Sequence, residues 1–197
     1  MNNKELILEK SIKLFLQKGY HGTTIKDITD AVGITKGAFY WYYKSKEELL
    51  ETLIDYFESA FTDTIIREVN NVQGGFLQKM KYSHKWATEF AYHHRDLCMG
   101  FLTLSAEMVG DNTEIEKKIQ KVHKKYHNFL KGLLELGKKE GLVRDDLDID
   151  ILSNVINALH NGILFEWHMT YNEIDAALLA RTFRNVSLKG ILKEGVR

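Results

Sequence analysis

Proline is absent from this chain of 197 residues, although average usage of about 5% would place roughly ten in it. Because proline interrupts helix interiors and stiffens turns, a chain without it is free to be helical nearly throughout. A single cysteine, Cys98, excludes a disulfide framework and a cysteine-based zinc finger. Long apolar runs are missing as well, since none approaches the ~18 residues that a membrane span needs.

The composition is that of an ordinary folded protein, with 44% hydrophobic and 27% charged residues. The N-terminal residues MNNKELILEKSIKLF alternate charged and apolar side chains and contain no small-residue cleavage site, so we expect no signal peptide. These features predict a cytoplasmic protein that does not enter a membrane. The length suits one large domain or two small ones.

An excess of charge of either sign is also lacking, because 27 basic residues balance 27 acidic ones. A total of zero argues against a strongly basic nucleic-acid binder, but the distribution is uneven. Residues 1–50 hold 8 of the basic and 6 of the acidic residues, which gives +2 there and −2 in the remainder. The segment 35–46 contains three lysines and no acid. The positive charge is therefore local.

Apolar side chains recur at helical spacing along most of the chain. Leu49, Leu53, Phe57, Phe61 and Ile65, for example, follow one another every four residues. No segment alternates apolar and polar residues as a half-buried strand does, so the sequence predicts an all-α protein of about nine helices. The predicted helices lie at about 4–18, 24–33, 36–43, 46–70, 76–94, 96–109, 113–139, 148–170 and 173–193.

Three short helices at the N-terminal end describe a helix-turn-helix unit. Thr24 can cap the second of them, and Asp27, three residues later, can accept a bond in return, as in a capping box. Gly33 ends that helix and permits the positive φ that closes the turn, after which Thr35 can cap the next helix. The second helix of such a pair lies in the major groove of DNA.

The helix after Thr35 combines small side chains, hydroxyls and positive charge. Phe39 and Tyr43 lie four residues apart and are expected to be core, whereas the three aromatic residues between them should face DNA. Small residues allow close approach to base edges, lysines can donate to guanine or phosphate, and helix N-termini favour phosphate. The predicted DNA-binding residues are Thr24, Thr35, Lys36, Gly37, Ala38, Tyr40, Trp41, Tyr42, Lys44 and Lys46.

The run GYHGTTIKDI at 19–28, followed by AVGITKGAFYWYYKSKEEL at 31–49, resembles the DNA-binding domain of the TetR family of bacterial transcriptional repressors. The match covers about residues 5–53. The resemblance implies a homodimer that binds a palindromic operator in double-stranded DNA. It also implies a helix-turn-helix domain over 1–46 and a helical ligand-binding and dimerisation domain over 47–197, whose occupancy weakens DNA binding. No cofactor is expected.

The middle helices contain aromatic and methionine side chains that could line an effector pocket. The same helical spacing is what a core requires, so for any single apolar residue the core remains the alternative. Polar residues on apolar faces are stronger individual candidates, since pockets combine an apolar wall with few polar groups. A lipophilic or aromatic effector, such as a fatty acyl species or a cationic drug, would suit this set. The predicted ligand-binding residues are Phe57, Phe61, Trp86, Phe90, Phe101, Glu107, Met108, Tyr126, His127, Asn161 and Phe165.

The last two predicted helices carry apolar residues on more than one face. Such helices must be covered on two sides, and a monomer would leave a large apolar patch exposed. In the TetR family the last two helices form a four-helix bundle across the dimer axis, which agrees with this composition. The predicted dimer residues are Leu152, Val155, Leu159, Trp167, Leu179, Phe183 and Val186.

Two other classes of function have less support. His123 and His127 lie four residues apart, as in a two-histidine metal pair, but no third ligand is spaced to join them, so we expect no metal. The sequence contains no glycine-rich phosphate loop and no GxSxG motif, and Cys98 lies in an apolar run typical of a buried residue. A helical enzyme, or a small-molecule-binding protein without specific DNA binding, is the alternative function.

Overall fold

The computed structural model describes residues 3–170 and 173–196. Within those ranges the chain is helical apart from turns and one isolated antiparallel bridge between Val143 and Leu192, which confirms the predicted all-α class. The helices are α1 (Asn3–Gly22), α2 (Ile25–Val32), α3 (Lys36–Tyr42), α4 (Lys46–Phe57), α5 (Thr64–Asn71), α6 (Phe76–His93), α7 (Arg95–Met108), α8 (Glu114–Lys139), α9 (Ile149–Met169) and α10 (Ala176–Ile191). None of them combines the length and apolar character needed to cross a membrane.

The predicted long helix over 46–70 is continuous but not α-helical throughout. A π-helical segment, Glu58–Asp63, joins α4 to α5, so the described residues form nine uninterrupted helical runs. Apolar residues repeated every four positions drift by about 40° per step around an α-helix of 3.6 residues per turn. The wider π turn offsets that drift, which gives a physical reason for its position within this repeat.

The first helix extends beyond the predicted end at residue 18. It reaches Gly22, with a break at Gly19, where φ is 71° and ψ is 171°. A residue with a Cβ atom rarely adopts this positive φ, so the break depends on glycine. After the break, backbone N–H and C=O groups of residues 20–23 form hydrogen bonds with side chains of other helices, as described below.

The chain forms two compact units. The first consists of Met1–Ala60 and His94–Lys121, and here α1 packs against α2, α4 and α7. A small core lies between the first four helices. Its buried members are Ile7, Ile28, Phe39, Tyr43 and Leu49.

The second unit consists of Phe61–His93 and Val122–Arg197. Its core is larger and draws on α5, α6, α8, α9 and α10, together with Val143 before α9. The buried members include Ile65, Met80, Tyr126, Leu130, Leu134, Ile156 and Leu188. Asp148 and Asp175 begin the last two helices by accepting bonds from their first backbone N–H groups.

Candidate DNA-binding surface and effector-binding residues

The turn between α2 and α3 closes as the sequence predicts. Gly33 adopts φ 78°, and its N–H and that of Ile34 donate to the carbonyl of Thr29 at 2.9 and 3.0 Å. Thr35 then caps α3, since its Oγ1 accepts from the N–H of Ala38 at 3.1 Å. Two residues therefore separate the end of one helix from the start of the next cap.

Five consecutive aromatic residues, four at the end of α3 and Tyr43 directly after it, divide between core and surface. Phe39 and Tyr43 are buried, which confirms their predicted place in the core, and burial raises the pKa of Tyr43 to about 12. Tyr40 is 48% exposed, Trp41 89% and Tyr42 37%. Three neighbouring aromatic side chains are thus exposed together, and contiguous exposed apolar surface of this kind is typical of interaction sites.

Thr24 and Thr35, both predicted to contact phosphates, are the N-cap residues of α2 and α3. The backbone N–H of Thr24 donates to Oδ2 of Asp27 at 2.8 Å, and its Oγ1 donates to the same oxygen at 2.6 Å. Lys18 also donates to Asp27, at 2.7 Å, and these contacts hold the pKa of the Asp27 carboxyl well below its usual range. Both threonines remain exposed at the surface that carries α3.

The three lysines predicted to contact DNA differ in environment. Lys36 and Lys44 are exposed. Nζ of Lys46 instead donates to the carbonyls of Tyr20 and Thr23, each at 2.7 Å, and lies 4.2 Å from the centre of the Tyr20 ring. Burial lowers the pKa of Lys46. The structure therefore assigns Lys46 a role in holding the α1–α2 connection, which the sequence alone does not indicate.

Glu107, predicted to contact an effector, binds the same connection. Its Oε2 accepts from the backbone N–H of Tyr20 at 2.8 Å, and its Oε1 accepts from that of His21 at 3.0 Å. Both carboxylate oxygens are thus engaged with α1 rather than with an open pocket. Glu107 lies 87 positions after Tyr20 and 86 positions after His21, so no local sequence pattern could reveal these hydrogen bonds.

The remaining effector candidates of the first unit lie on α4 and α7. The rings of Phe57 and Phe101 stack with centroids 3.9 Å apart and planes 6° from parallel. Phe57 and Met108 are buried, while Phe101 is half-buried. Cys98, on the same helix, is buried as expected, and burial raises the pKa of its thiol to about 12.

In the second unit, four predicted residues form one aromatic cluster. Phe61 lies 5.3 Å from Phe90, 5.7 Å from Trp86 and 5.3 Å from Tyr126, measured between ring centroids. Trp86 and Phe90 also stack on each other at 5.1 Å. Tyr126 is buried, whereas the other three are partly exposed, so the cluster offers an apolar wall with one hydroxyl.

A chain of polar side chains, absent from the predicted set, continues from that hydroxyl. The Tyr126 hydroxyl lies 3.3 Å from Nδ1 of His160, whose Nε2 lies 2.9 Å from Nδ1 of His84. Nε2 of His84 in turn lies 3.4 Å from the hydroxyl of Ser187. Desolvation holds the pKa of His160 well below its usual range and lowers that of His84 to about 4. The sequence contained one sign of this network, because His84 follows Met80 by four residues and so shares the apolar face of α6.

The two histidines considered as a metal pair point to different partners. His127 lies 3.2 Å from the hydroxyl of Ser153, and Nε2 of His123 lies 2.8 Å from Nδ2 of Asn157. Over the described ranges, no three His, Cys, Asp or Glu side chains are grouped so as to hold a metal ion. Asn161 is half-buried, and Phe165 is exposed rather than enclosed in a pocket.

The predicted dimer residues divide between buried and exposed positions of the single chain. Leu152 lies in the core of the second unit, Trp167 stacks on Tyr92 at 5.7 Å, and Phe183 packs edge-on against His84 and His160. These three side chains are buried because they face neighbouring helices of their own chain, and Leu179 is half-buried. Val155, Leu159 and Val186 of the predicted set are exposed, as are four further apolar residues of these two helices, namely Ile151, Phe165, Met169 and Leu178.

Comparison with known families accounts for nearly the whole chain. Residues 7–53 match the model of bacterial regulatory proteins of the tetR family, and residues 58–190 match the C-terminal region of YsiA-like proteins. The chain belongs to the TetR family. Membership confirms the DNA-binding transcriptional regulator that the sequence predicts.

Curated relatives are transcriptional regulators. The HTH-type transcriptional regulator YerO of Bacillus subtilis is 28% identical over 90% of this chain, which spans 62% of that relative's length. The fatty acid metabolism regulator protein of Bacillus subtilis is 24% identical over 94% of this chain and 93% of its own length. This TetR-family chain is therefore similar in sequence to regulators along nearly its full length.

Solved structures show the same fold. The MbdR regulator from Azoarcus sp. CIB superposes with a TM-score of 0.88 at 26% identity, covering 96% of this chain and 98% of MbdR. FadR from Bacillus subtilis in complex with stearoyl-CoA gives 0.76 at 21% identity, over 95% of this chain and 98% of FadR. AibR in complex with isovaleryl coenzyme A and operator DNA superposes with a TM-score of 0.80 at 19% identity, covering 94% of this chain and 97% of AibR.

Proposed function

We propose that this TetR-family protein is a cytoplasmic repressor that binds DNA through α3 and is released by an acyl-coenzyme A. DNA binding belongs to residues 1–46, and effector binding and dimerisation belong to residues 47–197. The observation that carries DNA recognition is the exposed face of α3, where Tyr40, Trp41 and Tyr42 lie beside Lys36 and small residues. Lysine and tyrosine can contact phosphates there, while Gly37 and Ala38 let the helix approach base edges.

The protein acts as a homodimer in this proposal. Ile151, Val155 and Leu159 recur every four residues along α9, and Leu178 and Val186 are exposed on α10. Contiguous apolar side chains of this kind are uncommon on the surface of a monomer and mark an interface. A two-fold dimer would present two α3 helices to half-sites about one turn of DNA apart, or slightly more, which matches a palindromic operator.

The effector class is inferred from the aromatic cluster and from the relatives. Phe61, Trp86 and Phe90 offer a partly exposed aromatic wall beside the Tyr126 hydroxyl, which suits an acyl chain with one polar group. FadR and AibR bind stearoyl-CoA and isovaleryl coenzyme A, and the fatty acid metabolism regulator is a relative in sequence. We carry the acyl-coenzyme A class, but no particular chain length, over to this protein.

Fluorescence anisotropy tests both parts. Operator duplexes selected from a random library should bind more tightly than scrambled duplexes, with affinity falling steeply as salt increases. Stearoyl-CoA or isovaleryl-CoA should raise the operator Kd, whereas coenzyme A and free stearate serve as controls. Equal affinity for selected and scrambled duplexes would favour the alternative of a helical enzyme or binding protein. An operator Kd unchanged by both thioesters at saturation would exclude the acyl-coenzyme A class.

A further inference from the structure

Residues 20–23, which comprise the end of α1 after Gly19 and the start of its connection to α2, are called the α1–α2 connection here and are held from two sides by side chains of other helices. Its backbone N–H groups, at Tyr20 and His21, donate to the carboxylate of Glu107 on α7. Its carbonyl groups, at Tyr20 and Thr23, accept from Nζ of Lys46 at the start of α4. A stretch of four residues thus receives four charge-assisted hydrogen bonds, which are the stronger kind.

The contact with Glu107 depends on the absence of a side chain at residue 19. A Cβ atom built on Gly19 would lie 3.2 Å from both carboxylate oxygens of Glu107, and its φ of 71° is strained for other residues. Gly19 therefore does two things at once. It breaks α1 so that the next two N–H groups lose their helical partners, and it leaves room for the carboxylate that accepts from them.

Helix α7 carries both Glu107 and Phe101, one of the residues predicted from the sequence to bind the effector. Phe101, stacked on Phe57 of α4, lies six residues before Glu107 on the same helix. Six residues of α-helix span only about 9 Å. Because both residues lie on one continuous helix, a displacement of α7 at Phe101 also moves Glu107. Near the start of α7, Gly100 packs closely on α1, since a Cβ atom there would lie 3.1 Å from Cγ2 of Ile12.

We propose that Glu107 is the positioning residue that transmits effector binding to the helix-turn-helix, through its hydrogen bonds to the Tyr20 and His21 backbone. This inference rests on the proposed function and adds a second effector contact to it, at the Phe57–Phe101 stack, because both residues are predicted from the sequence to bind ligand. Separation of those rings displaces α7, and Glu107 then pulls on the N–H groups that precede α2. Lys46 keeps the carbonyls of that connection tied to α4, so the connection turns instead of translating as a whole.

Glu107→Gln tests the proposal with little change in volume. A glutamine keeps one acceptor oxygen and replaces the other with an NH₂ donor, which faces one of the two backbone N–H groups and cannot accept from it. The measured quantity is the ratio of operator Kd values with and without saturating stearoyl-CoA. Allosteric couplings are typically about 5–150-fold, and we expect Glu107→Gln to reduce the wild-type ratio at least fivefold while the Kd for stearoyl-CoA stays within about twofold.

Glu116→Gln is the matched control. The carboxylate of Glu116 also accepts from two backbone N–H groups, those of Gly110 and Asn112, at 3.0 and 2.8 Å. Its third hydrogen bond in the described part of the chain comes from Gln120 on α8, and not from α1. A merely structural effect of losing such a bond should appear equally in both variants, as a lower melting temperature. Only Glu107→Gln should change the Kd ratio. A wild-type ratio in Glu107→Gln, or an equal loss in Glu116→Gln, overturns the proposal.

A second measurement does not depend on the identity of the effector. Because coupling is reciprocal, operator DNA bound to α3 should alter hydrogen exchange of amides in α7, and Glu107→Gln should remove most of that change. If stearoyl-CoA fails to release the wild-type protein while this response is present, the acyl-coenzyme A proposal is wrong and the role of Glu107 stands. If operator DNA leaves α7 exchange unchanged in the wild type, the role of Glu107 is wrong.

Discussion

Nδ1 of His84 and Nε2 of His160 lie 2.9 Å apart in the second unit, with the Phe183 ring packed edge-on against both. A hydrogen bond between two imidazoles needs one nitrogen that carries a proton and one that does not, so it is satisfied while both rings are neutral. Desolvation lowers both pKa values, and the positive charge of Arg184 adds to the effect at His84. Burial therefore favours the neutral form of both rings.

This pair predicts a loss of stability in mild acid. The folded pKa of His84 is about 4 against an ordinary 6.5, so the unfolded chain binds more protons between those values. The contribution of His84 to the free energy of unfolding is fully present above about pH 6.5. It falls as the pH drops toward 4, by about 1.4 kcal/mol per pH unit for a single such group. Urea titrations at pH 7, 6 and 5 measure this slope. His84→Gln should reduce the slope and leave the share that comes from His160, whereas His93→Gln, at an exposed histidine, should retain the wild-type slope.

Tyr40→Ala should weaken operator binding without unfolding the protein. Its side chain is 48% exposed on α3, so truncation removes a contact to DNA but little packing. Loss of one such contact costs about 1 kcal/mol, or roughly fivefold in Kd. Tyr56→Ala is the control, because Tyr56 is 45% exposed on α4, outside the helix-turn-helix. An unchanged operator Kd for Tyr40→Ala would contradict the assigned surface.

Lys46→Ala should lower stability as well as operator affinity. Two carbonyls, at Tyr20 and Thr23, lose a charged donor, and an unpaired, partly buried acceptor costs about 1–3 kcal/mol. Exposed Lys44 provides the comparison, since Lys44→Ala should change operator affinity and its salt dependence but not the melting temperature. Equal melting temperatures for the two variants would argue against the structural role of Lys46.

Val155→Asp combined with Val186→Asp should convert the dimer to a monomer. Both valines are exposed on α9 and α10, and a carboxylate buried against its symmetry mate loses solvation without a partner. Light scattering should give twice 22.9 kDa for the wild type and 22.9 kDa for the double variant. Val109→Asp, at an exposed valine outside these helices, should remain dimeric. A wild-type protein that is monomeric at micromolar concentration would refute the homodimer.

Gly33→Ala should destabilise the helix-turn-helix by about 1 kcal/mol, because φ is 78° there and no atom near a new Cβ could compensate. Gly22→Ala provides the comparison. A Cβ at that position would meet only Cβ of Lys18 at 3.6 Å, an ordinary contact, and the backbone has no positive φ. Thermal unfolding should show a lower melting temperature for Gly33→Ala but not for Gly22→Ala, because only the first substitution strains the backbone.

The helix-turn-helix could be predicted from sequence because its geometry is closed locally. Thr24 bonds to Asp27, Gly33 to Thr29 and Ala38 to Thr35, each within four residues. Backbone and capping groups so close in sequence meet whenever the helices form, whatever the rest of the chain does. The exposed row of aromatic residues follows as well, since one short helix cannot bury five of them.

Tertiary structure alone decided the partners of groups far apart in sequence. Glu107 reaches Tyr20 across 87 positions and His84 reaches His160 across 76. Periodicity shows that a face is apolar but not which helix covers it, so Phe183 could equally have faced a second chain or its own core. Proline's absence permitted these helices everywhere, and the caps placed them. Packing then determined which carboxylate, lysine and histidine met, because burial satisfies a polar group only where a complementary one arrives beside it.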